Sequence, residues 1–182
     1  MKVSKFLNRL EVLKSTDPAK DNTCNFVLSH LDYSNSIMCG LPDGSIAMLQ
    51  RVQNWSAKVV LCRSKYDSST EALQTLHWLP VKERIVFKIL CLVFKCLHNM
   101  APVYLASLLK VRSSGRTTRT SSSDHLTLDV PFTKMKTFAA RSFSVYGPSS
   151  WNSLPLHVRA IDNLPSFKKE LKTILFKRAI NC

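Results

Sequence analysis

The residues best suited to chemistry in this sequence are seven basic side chains between positions 110 and 141. Within that interval the acidic residues are Asp124 and Asp129. Lys and Arg donate hydrogen bonds to phosphate oxygens, and a run of them with few acids attracts a polyanion. The pattern therefore predicts a surface that binds RNA or DNA, formed by Lys110, Arg112, Arg116, Arg119, Lys134, Lys136 and Arg141.

Three aromatic residues are candidates to stack on the bases of such a ligand: Trp78, Phe143 and Trp151. Aromatic rings in single-strand-binding proteins commonly hold bases in this way. The alternative is that the rings pack in the hydrophobic core, which is the usual fate of aromatic residues flanked by Leu and Pro.

The sequence lacks the motifs of the common enzyme classes. No two acidic residues are adjacent, so the paired aspartates that hold metal ions in polymerases have no candidate. No phosphate-binding glycine loop, nucleophile elbow or His-Glu-x-x-His helix is present either. We therefore expect no catalytic residue, no cofactor and no small-molecule substrate.

The six cysteines predict neither disulfides nor a metal site. Their spacing is irregular, and the closest set is Cys91, Cys96 and His98. Cysteines five residues apart on a helix point in different directions, so they do not share a metal ion. We expect them to be small core residues.

Net charge is concentrated in the second half of the chain. The protein has 182 residues, 26 of them Lys or Arg and 12 Asp or Glu, for a formal net charge of +14. Residues 81–182 carry +12 of this. The favoured partner is therefore nucleic acid. The alternative is that the lysines only solvate the outer faces of helices.

Hydropathy argues for one globular, intracellular protein. Hydrophobic residues make up 45% of the chain, too many for a wholly disordered one. The longest apolar run, Ile89 to Phe94, is far shorter than the ~20 residues that span a bilayer. The segment MKVSKFLNRL lacks the continuous apolar core of a secretion signal. We expect neither secretion nor a membrane partner.

The periodicity predicts a mainly α, helical bundle-like fold. Apolar residues at steps of three and four predict helices up to Met38, from Asp43 to Val59, from Pro80 to Asn99, from Pro102 to Leu109 and around Phe167 to Leu175. The sequence Ser68-Ser69-Thr70-Glu71 fits a capping box that opens a further short helix to about Leu76.

Two segments depart from this helical pattern. Residues 110–123 contain eight Ser or Thr and four basic residues, which predicts a flexible basic loop. Apolar residues alternate after it, and a shorter alternation includes Phe143 and Val145, which predicts a small β-hairpin near residues 126–146. The predicted organisation is a poorly ordered or divergent segment 1–21, a helical region 22–109, the loop 110–123, and a hairpin with carboxy-terminal helices over 124–182.

Several short sequence blocks resemble those of one protein family. The blocks RVQN, LHWLPVKERI, APVYL and WNSLP, in this order, are similar to the carboxy-terminal part of reverse transcriptases of LINE-type, jockey-like non-LTR retrotransposons. The resemblance covers roughly residues 24–178. It implies a thumb-like region, here residues 22–109, followed by a post-thumb segment that grips RNA or DNA.

The resemblance carries no catalytic residue to this chain, because the polymerase aspartate motifs and the endonuclease of the family match nothing here. It implies a non-catalytic fragment of an RNA-directed DNA polymerase that retains at most a nucleic-acid-binding surface and is nuclear if expressed. The alternative is a domesticated module without enzymatic activity that binds a protein partner through exposed apolar helix faces.

Overall fold

A computed structural model describes residues 26–112, 127–133 and 139–180. Within these ranges the chain is mainly helical, which confirms the coarse fold class. None of the helices in these ranges is both long and apolar enough to cross a bilayer. The helices are α1 (residues 26–32), α2 (Asp43–Val60), α3 (Ser69–Thr75), α4 (Val81–Leu97), α5 (Val103–Ala106), α6 (Phe143–Asn152), α7 (Leu156–Arg159) and α8 (Leu164–Ile180), with 3-10 turns at Asn35–Met38 and Ala139–Arg141.

The chain divides into two compact units that interleave along the sequence. In its described part, the first unit consists of residues 26–37, Leu41–Ile85 and 176–180. The second unit consists of Met38–Gly40 and of the described residues within Val86–Leu175.

The first unit is built around small and aromatic side chains from α2, α3 and the turn after α3. Ala57 and Ala72 are fully buried beside Leu73 and Trp78. The side chain of Ser68 accepts a hydrogen bond from the backbone N–H of Glu71, which confirms the predicted helix start. The predicted helix from Asp43 is likewise confirmed as α2.

Three helices end on residues other than glycine in the left-handed backbone region. Cys62, His77 and Asn99 follow α2, α3 and α4 with φ of 52°, 51° and 56°. In each case the next backbone N–H bonds five residues back, as from Met100 to the carbonyl of Lys95 at 2.8 Å. This is the Schellman arrangement, which satisfies carbonyls that the helix end leaves open.

The second unit has an aromatic core. The rings of Phe94 and Phe167 are stacked with centroids 4.5 Å apart, and the ring of Trp151 lies 5.7 Å from Phe167. Gly147 lets α6 approach α4 closely, because a Cβ at this position would lie 3.1 Å from Val93 Cγ2. All five of these residues are buried.

The predicted hairpin is wrong. Phe143 and Val145 belong to α6 and not to a strand. Four alternating residues fit a helix as well as a strand, and here packing of Gly147 and Trp151 in the core selects the helix. Leu128 pairs instead with Val111 in an isolated antiparallel bridge.

Candidate nucleic-acid interface

Two of the predicted phosphate-binding residues, Lys110 and Arg112, flank the β-bridge of the second unit. The backbone N–H of Arg112 donates to the carbonyl of Thr127 at 2.9 Å, and the N–H of Asp129 donates to the carbonyl of Lys110 at 2.8 Å. Both basic side chains are exposed. The bridge thus fixes the backbone that carries them and leaves their charged groups open to solvent.

The bridge is anchored to the core of the second unit through Leu128, whose side chain is buried. The side-chain amide of Asn152 bonds both the N–H and the carbonyl of Leu128. Arg159 bonds the same segment, because its Nη1 lies 3.3 Å from Thr127 Oγ1, while its Nε donates to the carbonyl of Leu154. Arg159 therefore adds a cation beside Thr127, whose carbonyl accepts from the backbone N–H of Arg112.

Arg141 is held in a different part of the second unit. Its carbonyl accepts a hydrogen bond from the Sγ of Cys39 at 3.0 Å, and its aliphatic chain packs on Gly40. Its Nε is buried and has no hydrogen-bond partner among the described residues. Burial raises the pKa of the Cys39 thiol, although a backbone hydrogen bond and the charge of Arg141 lower it in part. Cys39 is therefore a neutral donor near pH 7.

The remaining predicted cations, Arg116, Arg119, Lys134 and Lys136, lie outside the described residues. Their place in a common surface stays a prediction.

The aromatic residues predicted to stack on bases differ in how far they are buried. Trp151 is 1% exposed, so its ring has no face open to a base. Trp78 is buried in the first unit, and Phe143 is half-buried on α6. The core-packing alternative therefore holds for both tryptophans.

Three lysines of α8 are further candidates for phosphate contact that do not belong to the basic stretch between positions 110 and 141. Phe167, Leu171 and Leu175 are buried along one side of this helix. The three lysines are exposed and fall within an arc of about 100° beside that apolar side. The signal was present in the sequence KKELK, where basic residues recur at steps of three and four: Lys168, Lys169 and Lys172.

One of these lysines acts on a buried thiol. Burial raises the pKa of Cys91 to about 11, and the charges of Lys168 and Lys95 lower it in part. The pKa of Cys96 is also raised by burial. Both side chains are free thiols. In the part of the chain that is described, no three His, Cys, Asp or Glu residues are grouped as a metal site requires.

Charge in the second unit is strongly unbalanced. Its described acids are Asp129, Asp162 and Glu170. In the first unit, three basic residues form ion pairs: Arg84–Asp32, Lys82–Asp43 and Arg63–Glu71. The nine described cations of the second unit are Lys88, Lys95, Lys110, Arg112, Arg141, Arg159, Lys168, Lys169 and Lys172.

No protein-family profile, no curated protein and no solved structure gives a match to this chain.

Proposed function

We propose that this chain is a non-catalytic, carboxy-terminal piece of a LINE-type, jockey-like retrotransposon reverse transcriptase that binds RNA or DNA through the basic surface of its second unit. The order of the blocks RVQN, LHWLPVKERI, APVYL and WNSLP supports the origin. A nuclear location belongs to the same proposal, because the nucleic acids that such an element targets are in the nucleus.

The excess of basic over acidic residues in the second unit is the observation that carries the binding proposal. The described part of this unit contains nine cations and three acids. Five of the cations are exposed: Lys110, Arg112, Lys168, Lys169 and Lys172. Exposed cations that outnumber the neighbouring acids repel one another and gain free energy when phosphates replace their counterions.

The backbone around these cations is held in place. Lys110 and Arg112 lie on the bridged segment that Asn152 anchors, and the α8 lysines lie beside a buried helix face. Phosphate contacts from such positions carry no sequence information. We therefore expect the binding that this basic surface contributes to depend on salt and little on sequence.

Filter binding tests this proposal. Labelled single-stranded RNA and duplex DNA are titrated with the whole chain at about 50 mM and about 200 mM salt. We expect retention of both nucleic acids at the lower salt and a large loss at the higher salt. The absence of retention at the lower salt contradicts the proposal.

A protein-binding module is the second candidate, favoured by exposed apolar side chains in and near α5. Val103 is 84% exposed and Tyr104 is 69% exposed, and Met100 and Leu108 are exposed beside them in sequence. Apolar groups gathered in this way are typical of interaction surfaces. A pull-down from nuclease-treated lysate tests this candidate. We expect a captured protein partner to be lost when Val103→Ser and Tyr104→Ser are combined. Loss of the partner on nuclease treatment of the unaltered chain contradicts the protein-binding candidate.

A further inference from the structure

The first unit contains a groove of about 320 Å³ that the basic surface does not include. This volume is at the lower end of the ~300–1,000 Å³ typical of ligand sites. Polar and apolar side chains share its lining, and none of them is Lys or Arg. The lining residues are Gln50, Asn54, Ser69, Thr70, Leu73, Gln74, Trp78, Pro80, Glu83, Phe176, Ala179 and Ile180.

An amide network fixes one wall of the groove. Gln50 is held by three hydrogen bonds: its Oε1 accepts from the backbone N–H of Val81, and its Nε2 donates to Gln53 Oε1 and to Asn54 Oδ1. Gln53, which is fully buried, in turn donates to the carbonyl of Leu79. The carbonyl oxygen of Asn54 is thereby occupied, which fixes its orientation. Its Nδ2 has no acceptor among the described residues, and Asn54 is one of the lining residues of the groove.

Glu83, in the first turn of α4, supplies the groove with hydrogen-bond acceptors. This residue is half-buried, and its carboxylate forms no ion pair with the described residues. As the one acid in a lining without cations, it disfavours phosphate inside the groove. It favours a group that offers hydrogen-bond donors.

Apolar side chains complete the groove. Trp78 lines it but is buried, with 9% of its surface exposed, so it contributes apolar surface without an open ring face. Pro80 and the half-buried Phe176 also line it. Such surfaces suit a planar ring that carries both donors and acceptors on its edge.

We propose that this groove binds a guanine base of single-stranded nucleic acid, with the Glu83 carboxylate accepting hydrogen bonds from N1–H and the N2 amino group. Guanine is the standard base with two adjacent donors on its pairing edge, and its O6 and N7 are acceptors of the kind that the Asn54 Nδ2 lacks. The proposal rests on the proposed function for its ligand class, single-stranded nucleic acid, and concerns the groove of the first unit by itself.

Comparison of guanosine with inosine tests the contribution of a single amino group, because inosine lacks only the N2 amino group of guanosine. Fluorescence anisotropy of the whole chain is measured with labelled oligouridine dodecamers that contain one central guanosine, one central inosine or neither. We expect the guanosine strand to bind about tenfold tighter than the inosine strand, as a bidentate base contact does. The Glu83→Gln variant reduces this ratio to near one.

A matched variant separates the groove from net charge. Glu71→Gln makes the same charge change on an exposed residue of the first unit and retains the guanosine preference. Both variants are compared with the unaltered chain in thermal melts, so that loss of folding is distinguished from loss of the contact. Equal affinity for the guanosine and inosine strands overturns the guanine site, and so does an unchanged preference in Glu83→Gln.

The two proposals fail separately. Binding of the plain oligouridine strand reports the proposed function alone, whereas the guanosine–inosine difference reports the groove. Free guanosine, which has no phosphate, is tested against inosine by ligand-detected NMR, so the groove is examined even if no strand binds. Displacement of guanosine by an oligolysine peptide at low concentration shows that the Glu83 carboxylate binds a cationic peptide. That result also overturns the guanine site.

Discussion

Asn152 holds the backbone of Leu128 at two points: its Nδ2 donates to the Leu128 carbonyl at 2.8 Å and its Oδ1 accepts from the Leu128 N–H at 2.9 Å. A side-chain amide thus occupies the place that a second strand takes in a hairpin. It connects α6 to the bridged segment, and with it to the backbone of Lys110 and Arg112.

Removing this amide destabilises the second unit. Asn152→Ala leaves the N–H and the carbonyl of Leu128 unpaired, and we expect a loss of about 2–4 kcal/mol in the free energy of unfolding. Asn152→Asp keeps an acceptor for the N–H but sets a carboxylate oxygen against the carbonyl, so it is also destabilising. Urea unfolding measures both variants. A change in Asn152→Ala within about 0.5 kcal/mol of zero shows that the contact carries no stability.

Cys62 is a site where glycine stabilises the fold. Its φ of 52° at the end of α2 is strained for a residue with a Cβ and free for glycine. We expect Cys62→Gly to raise the free energy of unfolding by about 0.5–1 kcal/mol. Cys62→Ala is the matched control, because it removes the thiol without relieving the backbone. Equal stability of the two variants contradicts the assigned strain.

Gly40 and Arg141 are coupled by contact. Gly40 has a φ of 66°, and a Cβ on it would lie 2.8 Å from Arg141 Cγ. Gly40→Ala therefore costs about 2–3 kcal/mol, from backbone strain and from displacement of the arginine. In an Arg141→Ala background only the strain remains, about 1–2 kcal/mol. A double-mutant cycle by chemical denaturation measures the interaction free energy between the two substitutions. Strictly additive effects contradict the coupling.

The Cys91 thiol makes stability depend on pH in the alkaline range. Its pKa in the folded chain is about 11, against an ordinary value of 9.0. Between these values the folded state keeps a proton that the unfolded state has lost, so stability is retained below pH 9 and falls as the pH rises toward 11. We expect Cys91→Ala to remove about 2–3 kcal/mol of that fall.

Urea unfolding of the unaltered chain and of Cys91→Ala is compared at the two ends of this pH range. Lys and Tyr titrations are common to both proteins, so the difference between their pH profiles isolates the thiol. Parallel profiles are inconsistent with a raised pKa at Cys91.

The helices could be predicted where local signals agree with packing. The apolar spacing of α2 and the Ser68 cap each determine a helix largely by themselves. The first predicted helix is interrupted, because Ser34 has a φ of 54° and a 3-10 turn follows it. The ends at Cys62, His77 and Asn99 carried no glycine signal, since their left-handed conformation depends on hydrogen bonds that periodicity does not encode.

The candidate site could be predicted only in part, because it depends on contacts distant in sequence. Lys110 and Arg112 were found from charge alone, and the structure shows that both are exposed. The role of Asn152 and the nearness of Arg159 to Thr127 depend on tertiary hydrogen bonds across more than 20 residues. The groove beside Glu83 had no linear motif, since its lining comes from four separate stretches of chain.

The salt dependence of RNA affinity tests the central claim most directly. With about six phosphate contacts, the slope of log K against log salt concentration is expected to be about −4 to −5. The triple substitution of Lys168, Lys169 and Lys172 by Gln makes this slope shallower by about 2–3. The control substitutes Gln for Arg51, Lys65 and Lys177, three exposed cations of the first unit, and changes the slope by less than about 1. Equal slopes in all three proteins contradict a nucleic-acid surface on the second unit.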